Sequence, residues 1–163
     1  MLLAQAWLAT KGRIAQHKRI GRSSYLLVPL IVIGFMLITN YGQLRHKEPG
    51  LLGASFFDGG AFLVFYALAI AYRKNTAYHS RYMMLTAVPF INPTLGRAVA
   101  PEVSTTVELV LIIALMIAAR VRRTAWQPYL VALLTLIALT LVIVYISVIE
   151  PGIIEGLWES IWG

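Results

Sequence analysis

From Pro128 to Ile149 the chain reads PYLVALLTLIALTLVIVYISVI, without one acidic or basic side chain. A run of roughly 20 mostly apolar residues is what a helix needs to cross hydrocarbon, where every backbone polar group must be satisfied internally. This stretch therefore commits the protein to a bilayer. Four further runs qualify or nearly so: SYLLVPLIVIGFMLITNY at about 24–41, FDGGAFLVFYALAIAY at about 57–72, YMMLTAVPFINPTLGRAVA at about 82–100 and VSTTVELVLIIALMIAA at about 103–119. Composition agrees, since 59% of the residues are hydrophobic and only 13% charged, with a mean hydropathy of +0.74. The expectation is an all-α, polytopic transmembrane helix bundle with five spans, forming a single domain over 1–163.

The two ends read differently. MLLAQAWLA is too short to cross alone, so it is either the end of a truncated first helix or a short interfacial segment. It does not read as a signal peptide, because no basic residue precedes it. In the tail GIIEGLWESIWG, residues Ile154, Leu157, Trp158, Ile161 and Trp162 fall on one helical stripe, with Glu155 and Glu159 off it. Segment 151–163 is thus expected to be an amphipathic helix on the outer surface.

Charge placement sets the topology. Lys11, Arg13, Lys18, Arg19 and Arg22 precede the first span; Arg73, Lys74 and Arg81 follow the second; Arg120, Arg122 and Arg123 follow the fourth; and none of these segments carries an acid. The alternate segments hold Glu48, Asp58, Glu102, Glu150, Glu155 and Glu159 against Arg45, Lys47 and Arg97. The positive-inside rule makes the first set cytoplasmic, which places the protein in a plasma membrane, or the inner membrane of a bacterium, with its C-terminus outside. The net charge of +7 is then accounted for by topology and by contact with anionic headgroups, and a nucleic-acid partner loses its support.

The chain has no cysteine, which removes disulfides, thiolate catalysis and cysteine-bound metal sites. No glycine-rich phosphate loop, serine elbow, HExxH or carboxylate metal cluster occurs, so no catalytic or metal-ligating residue is assigned and an enzyme is disfavoured. Two constellations still carry chemistry. His17 and His79 each open a helix on the basic side as His-x-Arg. Two imidazoles from neighbouring helix ends are able to ligate a b-type haem, with Arg19, Arg22 and Arg81 suited to its propionates. The plainer reading makes both stretches polar collars at the headgroup boundary, where basic residues belong regardless of function. On the outer side, Arg97 and Glu108 flank a short connection and are expected to pair, because charge at that depth is costly alone. Asn92-Pro93 kinks the same helix, and Asp58 begins its own span beside Gly59 and Gly60. Asp58, Asn92, Arg97 and Glu108 together form a candidate pocket for a small polar ligand, a lipid headgroup or a proton, or else a polar staple between helices.

Two resemblances attach to these motifs. HKRIGRSSY, His17 to Tyr25, resembles the helix start of the transmembrane cytochrome b group often fused to DOMON domains, which would make His17 a haem ligand. The pair of His-x-Arg starts and PTLGR, Pro93 to Arg97, are similar to those of small bacterial multi-pass membrane proteins of uncharacterised function, which implies no activity. The favoured expectation is a non-enzymatic protein, either an accessory subunit among other membrane subunits or copies of itself, or a small-ligand or lipid binder. A single-haem electron carrier is the alternative.

Overall fold

A computed structural model describes residues 2–46, 49–99 and 101–149, with single positions 152, 156 and 160 beyond them. The described residues are helical throughout, with no strand. The expected tail helix over 151–163 lies almost wholly outside them, as do Glu48 and Glu150. The chain divides into two compact units, Met1–Lys47 and Glu48–Gly163.

In the first unit, α1 (Leu2–Thr10) turns through Gly12 into α2 (Ile14–Arg22), and Ser23 leads directly into α3 (Ser24–His46). The segment between Thr10 and Ser24 is thus largely helix. Lys18, Arg19 and Arg22 form one basic stripe on α2, while His17 is partly buried and its ring Nδ1 lies 3.2 Å from the Gln5 carbonyl of α1. Ser23 and Ser24 each donate a hydroxyl hydrogen bond to the carbonyl three residues back, both at 2.6 Å. These bonds carry the chain from α2 into α3 with hardly a break.

The second unit holds α4 (Pro49–Ala71), α5 (Thr76–Leu85), a 3₁₀ turn (Val88–Phe90), α6 (Ile91–Ala98), α7 (Pro101–Val121) and α8 (Gln127–Ile149). Proline at the first position of α4 suits a helix start, where the missing N–H has no intrahelical partner to lose. The stretch GQLRHKEPGLLGASFF, Gly42 to Phe57, is largely taken up by the end of α3 and the start of α4. Segment 82–100 is not one helix but three pieces. Pro89 cannot donate to the Leu85 carbonyl and its ring crowds that turn, so the chain tightens: Ala87 N–H donates to Met84 O and Phe90 N–H to Ala87 O, both spanning three residues. The break falls before Pro89, four residues ahead of the kink expected at Pro93.

The core of this unit follows helical stripes. Ala61, Phe65 and Ala69 of α4, Ile112 of α7, and Ala132 and Leu136 of α8 are buried together with Tyr82 and Leu85 of α5. Between α4 and α8 the contact is built on small residues, since Ala61 and Ala132 have no exposed surface and a Cβ on Gly60 would stand 3.7 Å from Leu139. In lipid, where helix association gains little from the hydrophobic effect, such close approach supplies dispersion contacts instead. The outward faces are apolar too: Val110, Ile117, Leu134 and Leu141 are more than half exposed. Three helical stretches, within Ile14–Ile38, Val103–Val121 and Gln127–Ile146, are long and apolar enough to cross a membrane, and Phe56–Ala71 is apolar but shorter.

Candidate functional site

Glu108 stands in the middle of the α7 stripe. Ser104 one turn before it and Ile112 one turn after share its face, and all three have no exposed surface. Among the described residues, neither carboxyl oxygen of Glu108 has a hydrogen-bond partner. Asp58, only 4% exposed on the Ala61–Phe65–Ala69 face of α4, lies within electrostatic reach of it. Asp58 is thirteen residues before Ala71, the end of α4, and Glu108 thirteen before Val121, the end of α7.

An enclosed carboxyl group has two ways to be satisfied. As a carboxylate it requires a cation or several N–H donors; as an acid it carries a proton and donates it to an acceptor. A carboxylate buried at low dielectric is stabilised by a positive charge beside it, and a second carboxyl group within electrostatic reach adds to that stabilisation. The chemistry available to this pair is therefore the capture of a proton or a small cation.

The other outer-side candidates are placed less completely. Asn92 and Arg97 belong to α6, which packs against α7, but their side chains lie outside the described residues, and so does the expected Arg97–Glu108 pair. Thr94, beside the Asn-Pro kink, donates its hydroxyl to the Phe90 carbonyl at 2.7 Å and is exposed.

The two histidines fall in different units. His79 is partly buried at the start of α5, its Nδ1 2.7 Å from the Ala69 carbonyl. Ala69 belongs to the last turn of α4, and the N–H of Arg73, four residues on, bonds Ile70 instead. The imidazole thus serves a helix-end carbonyl that the backbone leaves open. His17 Nδ1 lies 3.2 Å from the Gln5 carbonyl, which is inside α1 rather than at its end. Arg19 and Arg22 are exposed, and Arg81 donates from Nη1 to its own helix at Ala77 O, 2.6 Å away. Among the described residues no group of three or more His, Cys, Asp or Glu side chains converges.

Sequence reasoning did not single out Ser104 or Gln5. Ser104 was detectable from its i−4 spacing to Glu108. Gln5 is 6% exposed with both amide atoms lacking a partner, and nothing in MLLAQAWLA signals its burial. Comparison with protein-family models, curated proteins and solved structures finds no match to this chain.

Proposed function

We propose that the chain is a non-enzymatic multi-pass membrane protein that binds a small cation, a proton or an alkali ion, at the Asp58–Glu108 pair, alone or as a subunit of a larger assembly. Glu108 carries this reading: a carboxyl group with no exposed surface and no hydrogen-bond partner, within a helix long and apolar enough to cross a membrane. Ionisable groups in such positions are costly and belong to ion or proton sites by default.

In the same proposal the chain crosses a plasma membrane five times, through α3, α4, the broken α5–α6 segment, α7 and α8, with the C-terminus outside. Three helices of spanning length and the alternation of basic and acidic turns support it. Glu108 then lies about 10 Å inward from the outer end of α7, at 1.5 Å per residue.

Thermal unfolding of the protein in nanodiscs, in sodium, potassium or choline chloride at matched ionic strength, tests the reading. A cation that fills the site at a hundredfold excess over Kd stabilises by about 2.7 kcal/mol, and Glu108→Gln removes that increment. A proton as occupant shows as pH-dependent melting lost in the same variant. Melting that responds to neither, or responds equally in Glu108→Gln, refutes the site.

A further inference from the structure

Helices α1 and α7 end in the same backbone motif but with different residues at its strained position. At the end of α1, Arg13 N–H donates to Leu8 O at 2.9 Å and Gly12 N–H to Ala9 O at 3.1 Å, with Gly12 at φ 68°. At the end of α7, Thr124 N–H donates to Ala119 O at 2.9 Å and Arg123 N–H to Arg120 O at 3.1 Å, with Arg123 at φ 50°. Both are Schellman caps, whose left-handed residue is usually glycine because a Cβ is crowded there. Arg123 is the single non-glycine residue with positive φ among those described. Strain of this kind is retained where the side chain has a use.

Its surroundings indicate that use. Tyr78, Arg120, Arg123, Thr124, Trp126 and Gln127 line an open concavity of about 440 Å³, and no carboxylate contributes to it. The Arg120 guanidinium carbon sits 4.7 Å from the Trp126 ring centroid, a cation–π contact that holds the arginine in place without neutralising it. The Thr124 hydroxyl is engaged with Ala119 O at 3.2 Å, so the neutral donors on offer are the Tyr78 hydroxyl and the Gln127 amide. One turn along α5 from Tyr78, the buried Nε of Arg81 has no hydrogen-bond partner.

We propose that this concavity binds a phosphate-bearing anion, with Arg120 and Arg123 as paired guanidinium ligands. A guanidinium fork matches two phosphate oxygens at once, and two forks with neutral donors beside them fit a tetrahedral anion better than a planar carboxylate. The anion is either a phospholipid headgroup or a soluble phosphate monoester. This site is separate from the Asp58–Glu108 pair and does not depend on it.

The test compares the full-length protein with Arg120→Gln, Arg123→Gly and Arg122→Gln. Arg122 is exposed and does not line the concavity, so its variant removes the same charge without removing a ligand. Retention of phosphatidylglycerol is read by native mass spectrometry, and binding of glycerol phosphate by calorimetry in phosphatidylcholine nanodiscs. Losing one charge-assisted ligand lowers affinity about tenfold or more, so Arg120→Gln and Arg123→Gly fall by that factor while Arg122→Gln stays near wild type. Arg123→Gly also melts no lower than wild type, since glycine relieves the cap, and this separates lost binding from lost folding. Lipid retention alone identifies a headgroup site; glycerol phosphate binding identifies a soluble ligand. Equal losses in all three variants, or no anion bound by wild type, overturn the proposal.

Discussion

Replacing Glu108 by methionine is expected to make the protein more stable. The side chain has no exposed surface and both oxygens lack partners, so folding removes a polar group from water without returning its hydrogen bonds. That penalty is about 1–3 kcal/mol even for a neutral group. Methionine keeps the length of glutamate and bends to fit, and a swap of similar volume costs under about 1.5 kcal/mol. The balance favours the variant by about 1–2 kcal/mol. For a chain of 163 residues, where each kcal/mol moves the midpoint by about 2–4 °C, melting should rise by about 2–8 °C. The assay is thermal unfolding in zwitterionic nanodiscs in choline chloride, so that no alkali ion fills the wild-type site. Glu108→Ala serves as the companion, because it removes the same oxygens but leaves a cavity and should gain nothing. A Glu108→Met protein that melts lower than wild type by the equivalent of more than about 1 kcal/mol refutes the reasoning, since it would mean that the carboxyl has a strong partner such as Arg97.

Other outcomes follow from the packing. His79→Ala should cost about 1–3 kcal/mol by leaving the Ala69 carbonyl unmet, seen as faster amide exchange around the α4–α5 turn; a Soret band that this substitution bleaches would instead assign His79 to haem. Ala132→Leu, at a fully buried α8 position, should destabilise by about 1–3 kcal/mol through overpacking, whereas Ala138→Leu on the exposed face of the same helix should be near neutral in a melt. Asn75→Ala removes the acceptor of Tyr78 N–H at the start of α5 and should lower stability by about 1 kcal/mol in the same measurement.

The spans that could be read from the sequence were those with one uninterrupted signal. In α7 and α8 an apolar run long enough to cross a membrane stops at basic or aromatic residues, and nothing competes with helix. Segment 82–100 carries two signals, apolar content and two prolines, and it was Pro89 rather than Pro93 that decided where the helix breaks. The basic segment before the first span is dense in charge, yet Lys18, Arg19 and Arg22 sit on one side of a helix, where they solvate a face without opposing it. For the candidate site, Asp58 and Glu108 could be picked out in the sequence as acids inside apolar runs, and both are buried. The orphaned oxygens of Glu108 were not legible, because hydrogen-bond satisfaction depends on what three other helices bring to the same height. Arg120 and Arg123 were visible as positive-inside charges, but the left-handed backbone at Arg123 shows only once the Schellman bonds are traced.

The packing of α4 against α8 sets a schedule for synthesis. Ala61 and Ala132, which meet the same core, lie about seventy residues apart in the chain, and at ribosomal rates of about 5–20 residues per second that interval is roughly 4–14 s. During it the Asp58-bearing face of α4 has no α8 to pack against. A chain halted before Gln127 would leave that face, acid included, open to quality-control proteases, so α8, made later, is the helix that makes α4 safe to keep.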